Sequence, residues 1–227
     1  YCPKYIILKL NLIPIFAIKN STQKRIGPHN LDILSIIFGT LLGDGYAEKR
    51  SNGTRICFYQ ENTHKAYLLY LHQLIANLGY CKISIPKLTT RLGKYGKLRL
   101  ILRFKTFTFS SFNWIHKIWY KDGIKILPDI DQLSIYLTPL ALAIWIMDDG
   151  SKSSSGMKIS TNNFTYKEVM VLIEVLNKKY NLNTTINSAG VPDQYNIYIP
   201  KKNINNLYKI LEPYIHPSMK YKFMIEN

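Results

Sequence analysis

Cysteine is scarce in this chain of 227 residues, which contains only Cys2, Cys57 and Cys81. Three cysteines cannot all pair with one another, and no two of them are spaced as CxxC. Disulfide-stapled domains and cysteine zinc sites need more cysteines at closer spacings. The sequence therefore predicts a fold that depends on an apolar core, for which 47% hydrophobic residues are available.

Acidic residues are scarce as well. The chain has 14 Asp and Glu against 30 Lys and Arg, which gives a formal net charge of +16. A balance this uneven on a globular chain indicates a polyanionic partner, such as DNA, RNA or an anionic membrane surface, although a basic surface can also serve solubility alone. The charge together with 17 Tyr and 9 Phe favours nucleic acid.

Long apolar runs are also missing near the start of the chain. The most apolar stretch there, Tyr5–Ile18, is interrupted by Lys9, Asn11 and Pro14. It falls short of the ~20 apolar residues that a membrane-spanning helix needs. We therefore expect no membrane partner. Frequent Ile, Lys, Asn and Tyr hint at an AT-rich coding genome, such as that of an organelle.

One order of predicted elements occurs twice: helix, strand, helix, strand pair, helix. We assign residues 1–30 to an N-terminal extension, 31–127 to a first repeat, 128–138 to a linker and 139–227 to a second repeat. Each repeat opens with a nearly all-apolar helix, Leu31–Leu42 or Pro139–Met147, as expected of helices buried on all sides. The repeat length of roughly 100 residues indicates a duplicated domain rather than a solenoid.

Lys97–Lys105 alternates between apolar and basic side chains almost without fault. Leu98, Leu100, Leu102 and Phe104 would face one way, and Lys97, Arg99, Arg103 and Lys105 the other. This period of two predicts a strand with an apolar back and a basic front.

Acidic residues follow both apolar helices, Asp44 after the first and Asp148 and Asp149 after the second. A carboxylate is unfavourable there because the carboxyl end of a helix dipole is negative. A lone acid before a glycine can be a solvated turn, but two such helix ends in an acid-poor chain suggest a bound divalent cation. Gly39 and Gly43, four residues apart, would let the two helices pack closely in parallel, so that these acids meet.

Two nine-residue segments, IFGTLLGDG at 37–45 and LAIWIMDDG at 142–150, resemble the motifs of the LAGLIDADG homing endonucleases in their single-chain form. The resemblance spans about residues 31–227. It implies an α+β fold of two pseudo-symmetric αββαββα repeats, with paired central helices and a saddle of antiparallel sheets. The second motif departs from the family at Ile144 and Asp148, which stand where small residues are usual.

The resemblance also implies site residues. The acid before the final glycine of each motif, Asp44 or Asp149, would act in catalysis and bind metal, with the preceding residues Gly43 and Asp148 as further candidates at the metal site. Four other catalytic candidates are implied by position: Gln60 and Asn162 beside the attacking water, and Lys125 and Lys222 beside the phosphate. The implied cofactor is Mg²⁺, two or more ions, with Ca²⁺ expected to support binding without cleavage.

Candidates for DNA contact lie on or beside the predicted strands, since antiparallel ribbons fit the major groove. Arg99 and Arg103 are the foremost of them. The others are Lys49, Arg50, Arg55, Arg91, Lys97, Lys158, Asn187, Gln194, Asn196 and Tyr198. The five histidines show no metal-nuclease spacing, and His64 and His72 are interpreted as surface or packing residues of one helix.

These features predict a monomeric, site-specific double-strand DNA endonuclease that cuts a long pseudo-palindromic site. The resemblance implies an intron reading frame in an organelle, which we take to be the mitochondrion. Two alternatives stay open: an intron RNA maturase with the same fold, and a DNA-binding protein without activity.

Overall fold

A computed structural model describes residues 28–93 and 96–223. The predicted N-terminal extension, residues 1–30, therefore lies almost wholly outside the described residues. The first repeat comprises α1 (Leu31–Leu42), β1 (Tyr46–Arg50), β2 (Gly53–Glu61), α2 (Lys65–Asn77), β3 (Thr89–Leu92), β4 (Leu98–Lys105) and α3 (Asn113–Trp119). The second comprises α5 (Pro139–Asp149), β7 (Gly150–Ser153), β8 (Gly156–Ser160), α6 (Tyr166–Tyr180), β9 (Thr185–Ser188), β10 (Tyr195–Pro200) and α7 (Lys201–Leu211).

The first repeat ends in a small ribbon, β5 (Tyr120–Lys121) and β6 (Ile124–Lys125), and a short helix, α4 (Ile130–Tyr136), lies between the two repeats. The segment 128–138, expected to be a plain linker, thus contains a helix. Asp129 starts it by accepting a hydrogen bond from the Gln132 amide at 2.9 Å. Leu133 and Leu137 are buried in the core, so this segment packs against the domain instead of merely connecting its halves.

Both central helices begin with a favourable cap. Asn30 accepts from the Ile33 amide at 2.9 Å, and Thr138 caps α5 with Pro139 at its first turn. Side chains with an oxygen near the backbone satisfy the free N–H groups of a first helical turn, and proline has no N–H to satisfy. The two helices are therefore well defined at the ends opposite to their acids.

Helices α1 and α5 pack in parallel at the centre of the molecule. A Cβ on Gly39 would collide with the Ala141 carbonyl oxygen, and one on Gly43 would lie 2.6 Å from the Cβ of Asp148. Glycine is thus needed at both positions because the partner helix approaches so closely. Nearly every residue of both helices is buried in one core that both repeats share.

Each repeat builds one four-stranded antiparallel sheet, ordered β1-β2-β4-β3 or β7-β8-β10-β9. The identical order confirms the predicted α+β class with two αββαββα repeats. Strands β1, β3 and β7 were not foreseen, because they are short and lack a clear apolar alternation.

The basic strand Lys97–Lys105 is β4, which begins at Leu98. Its register places Arg103 beside Tyr59 and Phe104 beside Phe58, so the predicted alternation of faces is correct. Its apolar back is only half covered: Leu102 and Phe104 pack inward, whereas Leu98 and Leu100 are exposed.

No single helix among the described residues is long and apolar enough to cross a membrane. Helices α4 and α5 meet the criteria of length and composition only as a pair, bent by 97° at the break between them.

Candidate active site and nucleic-acid interface

The acids at the ends of α1 and α5 converge as the glycine spacing predicts. The Asp44 amide lies 3.4 Å from Oδ2 of Asp148. The side-chain amide of Gln60 spans the helix pair, because its Nε2 donates to Asp44 Oδ2 at 2.7 Å and to Asp148 Oδ1 at 2.9 Å. Gln60 is buried at the end of β2, one turn of chain before α2.

Asp148 and Asp149 differ in what their carboxylates contact. Both oxygens of Asp148 face α1 and β2, through the Asp44 amide and Gln60. The carboxylate of Asp149 accepts no hydrogen bond from residues 28–93 or 96–223. Asp148 therefore fills the helix interface, and the oxygens of Asp149 are left for another ligand.

The three carboxyl groups repel one another in a partly dry setting. Burial, and then nearby Asp44, raises the pKa of Asp149 to about 7. Burial and the other two acids raise the pKa of Asp148 well above its ordinary value. Burial raises the pKa of Asp44 as well. The hydrogen bond from Gln60 and the charges of the neighbouring lysines lower this pKa and partly offset the effect of burial.

Lys125 and Lys222 each hold the end of a central helix. Lys125 Nζ donates to the Leu41 and Gly45 carbonyls at 2.8 and 2.9 Å, and Lys222 Nζ donates to the Met147 and Asp148 carbonyls at 2.5 and 2.9 Å. A cation is favourable at the negative end of a helix dipole. Burial nevertheless lowers the pKa of Lys125 to about 8, although the acids oppose this shift.

The donor set of the site fits a divalent cation shared with a substrate. Within the described ranges, no group of three or more His, Cys, Asp or Glu side chains is arranged to enclose a metal ion alone. Mg²⁺ is commonly held by one or two carboxylates together with phosphate oxygens and waters. Asp44 and Asp149 match a site of this kind, in which the protein supplies only some of the ligands. Burial opposes the ionisation of both acids, and a bound cation would relieve the repulsion between their charges.

The register shows which residue of the second repeat corresponds to Gln60. Tyr46, two residues after Asp44, pairs with Cys57, and Ser151, two residues after Asp149, pairs with Lys158. Three residues further along each partner strand lie Gln60 and Thr161, so Thr161 and not Asn162 takes the place of Gln60. Thr161 is buried, and its hydroxyl donates to the Tyr195 carbonyl at 2.6 Å. The candidate Asn162 is exposed, one residue further along the chain, and makes no contact with the acids.

The front of the first sheet is less cationic than the sequence implies, because two glutamates lie on it. Arg99 pairs with Glu61 at 2.6 Å, while Arg55 and Arg50 pair with Glu48 at 2.6 and 2.9 Å. Glu48 lies directly opposite Arg55 across β1 and β2, and Glu61 lies on the strand next to that of Arg99, so both pairings depend on the sheet register. The ion pairs hold the guanidinium groups on one face of the sheet.

The other basic candidates of the first repeat fall into two groups. Arg91 stands opposite Arg99 with its guanidinium 5.9 Å from the Tyr59 ring centre, and exposed Arg103 and Lys97 are in no ion pair with a described acid. Lys49 is different: it lies on the back of β1, and its Nζ donates to Asn113 Oδ1 at 2.7 Å. The alternation of β1 places Lys49 on the same face as buried Ala47, away from Arg50 and Arg55.

The front of the second sheet carries mainly neutral polar groups. Asn187 and Asn196 are direct neighbours across β9 and β10, and Lys158 stands opposite Tyr198. The Tyr198 hydroxyl donates to the backbone carbonyl of Ser155 and also contacts its hydroxyl. Gln194 lies in the turn between β9 and β10.

Comparison with known proteins assigns this architecture. A model of the LAGLIDADG DNA endonuclease family matches residues 34–207. The chain belongs to this family. The resemblance of the two helix-end motifs to LAGLIDADG sequences is therefore confirmed.

Several LAGLIDADG relatives are similar over most of the chain. The cytochrome b mRNA maturase bI2 of Debaryomyces hansenii is 53% identical over 198 residues, 86% of this chain and 74% of that protein. Its namesake from Saccharomyces cerevisiae is 51% identical over 213 residues, 90% of this chain, although the chain spans only 50% of that protein. The intron-encoded endonuclease ai4 of Dictyostelium discoideum is 39% identical over 159 residues, 69% of this chain and 99% of that protein.

A LAGLIDADG structure is also similar in three dimensions. The homing endonuclease I-WcaI, solved bound to its DNA recognition sequence, matches with a TM-score of 0.81 and 30% identity over 96% of this chain and 97% of that one. The saddle of two sheets predicted from the sequence thus corresponds to a known arrangement.

One further side chain lies beside Gln60. His64, interpreted as a surface or packing residue, has its Nδ1 3.0 Å from Gln60 Oε1. His72 does pack: it is buried, and its ring nitrogen lies 2.9 Å from the Lys82 carbonyl. The position of His64 four residues after Gln60 was the available signal, but it means little until Gln60 is known to face the acids.

Proposed function

We propose that this chain is a site-specific DNA endonuclease that hydrolyses one phosphodiester bond in each strand of a long, imperfectly symmetric site. The observation that carries the proposal is the convergence of Asp44 and Asp149 at the carboxyl ends of two parallel helices, each end held by a lysine. The helices belong to different repeats, so each repeat contributes one acid and one lysine.

Asp44 and Asp149 would hold the divalent metal ions, while Asp148 keeps the helices in register through Gln60. When bound, the metal would activate a water and stabilise charge on the leaving oxygen. Lys125 and Lys222 each use two of three ammonium hydrogens on backbone carbonyls, so one remains on each lysine for a phosphate oxygen.

The protein would act as a monomer and bind double-stranded DNA with the front surfaces of its two sheets. Arg91, Arg99 and Arg103 supply the charge that phosphate binding needs, and Asn187 and Asn196 can form paired hydrogen bonds with base edges. This agrees with the relative solved on its DNA recognition sequence. The names of the relatives further support an intron reading frame, and we place it in the mitochondrial cytochrome b gene.

Cleavage of a defined plasmid tests this proposal. The plasmid carries a cytochrome b coding sequence that lacks the intron, and the control plasmid carries the same gene with the intron in place. In Mg²⁺ we expect linear product from the first plasmid only, and in Ca²⁺ binding without product. Absence of cleavage at every intron-free junction would contradict the endonuclease function.

A second function has its own support. Two cytochrome b mRNA maturases are more than 50% identical to this chain over at least 86% of its length. We propose that the chain also binds its intron RNA and assists splicing. Splicing of the labelled intron, with and without the protein, measures this directly. Binding of the RNA without faster splicing would leave only the endonuclease.

A further inference from the structure

A chain of hydrogen bonds leads away from the acids to the surface. Gln60 Nε2 contacts Asp44 and Asp148, and Gln60 Oε1 lies 3.0 Å from Nδ1 of His64. The other ring nitrogen of His64, Nε2, lies 3.2 Å from the hydroxyl of Tyr221. Tyr221 belongs to the 3-10 segment Pro217–Phe223 of the second repeat, so this series of hydrogen bonds also connects the two repeats.

The donor and acceptor chemistry of the side chains fixes the direction of each hydrogen bond in this series. The ionised carboxylate of Asp44 only accepts hydrogen bonds, so the Gln60 amide must turn its NH₂ group toward the acids and its oxygen toward His64. The oxygen can only accept, which requires a hydrogen on Nδ1 of His64. Nε2 of a neutral imidazole then accepts from the Tyr221 hydroxyl.

We propose that His64 is a positioning residue that holds the Gln60 amide with its NH₂ group toward Asp44 and Asp148. Without the His64 donor, the amide can rotate and turn its oxygen toward the carboxylates, which repels them. The inference rests on the proposed endonuclease function only in so far as Gln60 serves the cleavage site.

The second repeat provides an independent argument. His64 immediately precedes α2, and Thr165 occupies the matching position before α6. Thr165 and Glu168 form a complete capping box, whereas the His64 side chain caps nothing. Thr is a good residue at this position and His is not. In the first repeat, the position is thus occupied by a side chain that forgoes the cap and bonds Gln60 instead.

The surroundings of His64 favour the neutral ring that this pattern needs. Burial, and then the positive charge of Lys222, lowers the pKa of His64, while Asp44 and Glu61 act in the opposite direction. Among the described residues, the ring of His64 makes no stacking contact with another aromatic ring. Its ring is held in part by the hydrogen bonds to Gln60 and Tyr221.

His64→Thr separates positioning from stability. Threonine supplies the missing cap, so the melting temperature should equal or exceed that of the unmodified protein, and DNA affinity in Ca²⁺ should not change. Single-turnover cleavage should slow by about tenfold, the size expected for one lost orienting hydrogen bond. His116→Ala, a change of a histidine remote from the acids, is the matched control and should cleave at the original rate.

Two outcomes of a double-mutant cycle decide whether His64 acts through Gln60. We expect His64→Thr to slow cleavage by less than about twofold when Gln60 is already replaced by alanine, because the residues act as one unit. An equal tenfold loss in both backgrounds, or no loss in either, overturns the proposal.

A spectroscopic measurement is independent of cleavage. In the full, metal-free chain with ¹⁵N-labelled histidine, the His64 ring should carry its hydrogen on Nδ1, and Gln60→Ala should weaken this preference without changing the His116 signals. An Nε2–H ring at His64 in the unmodified protein overturns the proposal. A chain that never cleaves DNA but shows the Nδ1–H ring contradicts the endonuclease function alone.

Discussion

Asp44, at the end of α1, accepts a hydrogen bond from Gln60, whereas Asp149, at the end of α5, accepts none from any described residue. Thr161 stands in the second repeat where Gln60 stands in the first, and its hydroxyl is used by the backbone. The two repeats thus share the central helix pair and a lysine at each helix end, whereas the polar groups around the two acids differ. The two repeats therefore share the acid at the helix end but not the polar side chain that contacts it.

The fronts of the two sheets diverged in the same way. The first front carries arginines held by Glu48 and Glu61, and the second carries Asn187 and Asn196 with a single lysine, Lys158. A pseudo-symmetric protein with unlike fronts suits an imperfectly symmetric DNA site. We expect the first repeat to dominate the dependence of affinity on salt.

The largest expected effect comes from the acid of the first repeat. Asp44→Asn preserves the shape of the side chain but removes the charge, so cleavage should fall on the order of 10³-fold. DNA binding in Ca²⁺ should change little, which a gel-shift titration measures. Cleavage at the original rate would show that the acid of the first repeat is dispensable.

Gln60 and Thr161, at matching positions of the two repeats, should each affect cleavage less than the acids do, and Gln60 should affect it more than Thr161. Gln60→Ala removes both hydrogen bonds to the carboxylates and should slow cleavage by roughly 10- to 100-fold. Thr161→Val, at the matching position, should cost less than about threefold, because its hydroxyl bonds only the Tyr195 carbonyl. Single-turnover rates on one DNA site check both, and equal losses would mean that the repeats do not differ as described.

Salt titration distinguishes the two fronts. Arg103→Ala should reduce the slope of log affinity against log salt by about 1 if Arg103 contacts a phosphate. Asn196→Ala should leave the slope unchanged and weaken binding only at particular base pairs. Equal changes of slope in both variants would contradict the division between a charged front and a neutral one.

A smaller effect is expected on stability without metal. The pKa of Asp149 is raised from its ordinary 3.8 to about 7. Between these values the folded chain binds more protons than the unfolded chain, so this group makes stability fall as pH rises. Asp149→Asn should therefore gain a few degrees in melting temperature relative to the unmodified chain between pH 5 and pH 8. A constant difference would place the pKa near its ordinary value.

Local sequence patterns predict the central helix pair and the sheet that carries the basic strand. The all-apolar helices, Gly39 and Gly43, and the alternation of β4 each reflect a constraint that one segment carries by itself. The sequence did not reveal Glu61 beside Arg99 or His64 beside Gln60, because these contacts depend on sheet register and on a turn. The same dependence on register governs Lys49, on the back of β1, and Asn162, one residue past the position that matches Gln60, since a shift of one residue reverses the face of a strand.

The central claim, that the second repeat contributes Asp149 and not its neighbour to the metal site, is tested most directly by two single substitutions in one cleavage assay. Asp149→Asn should abolish cleavage in Mg²⁺ while preserving DNA binding in Ca²⁺. Asp148→Asn, which can still bond Gln60, should cleave within about tenfold of the original rate. Loss of cleavage in Asp148→Asn with cleavage retained in Asp149→Asn would contradict the account.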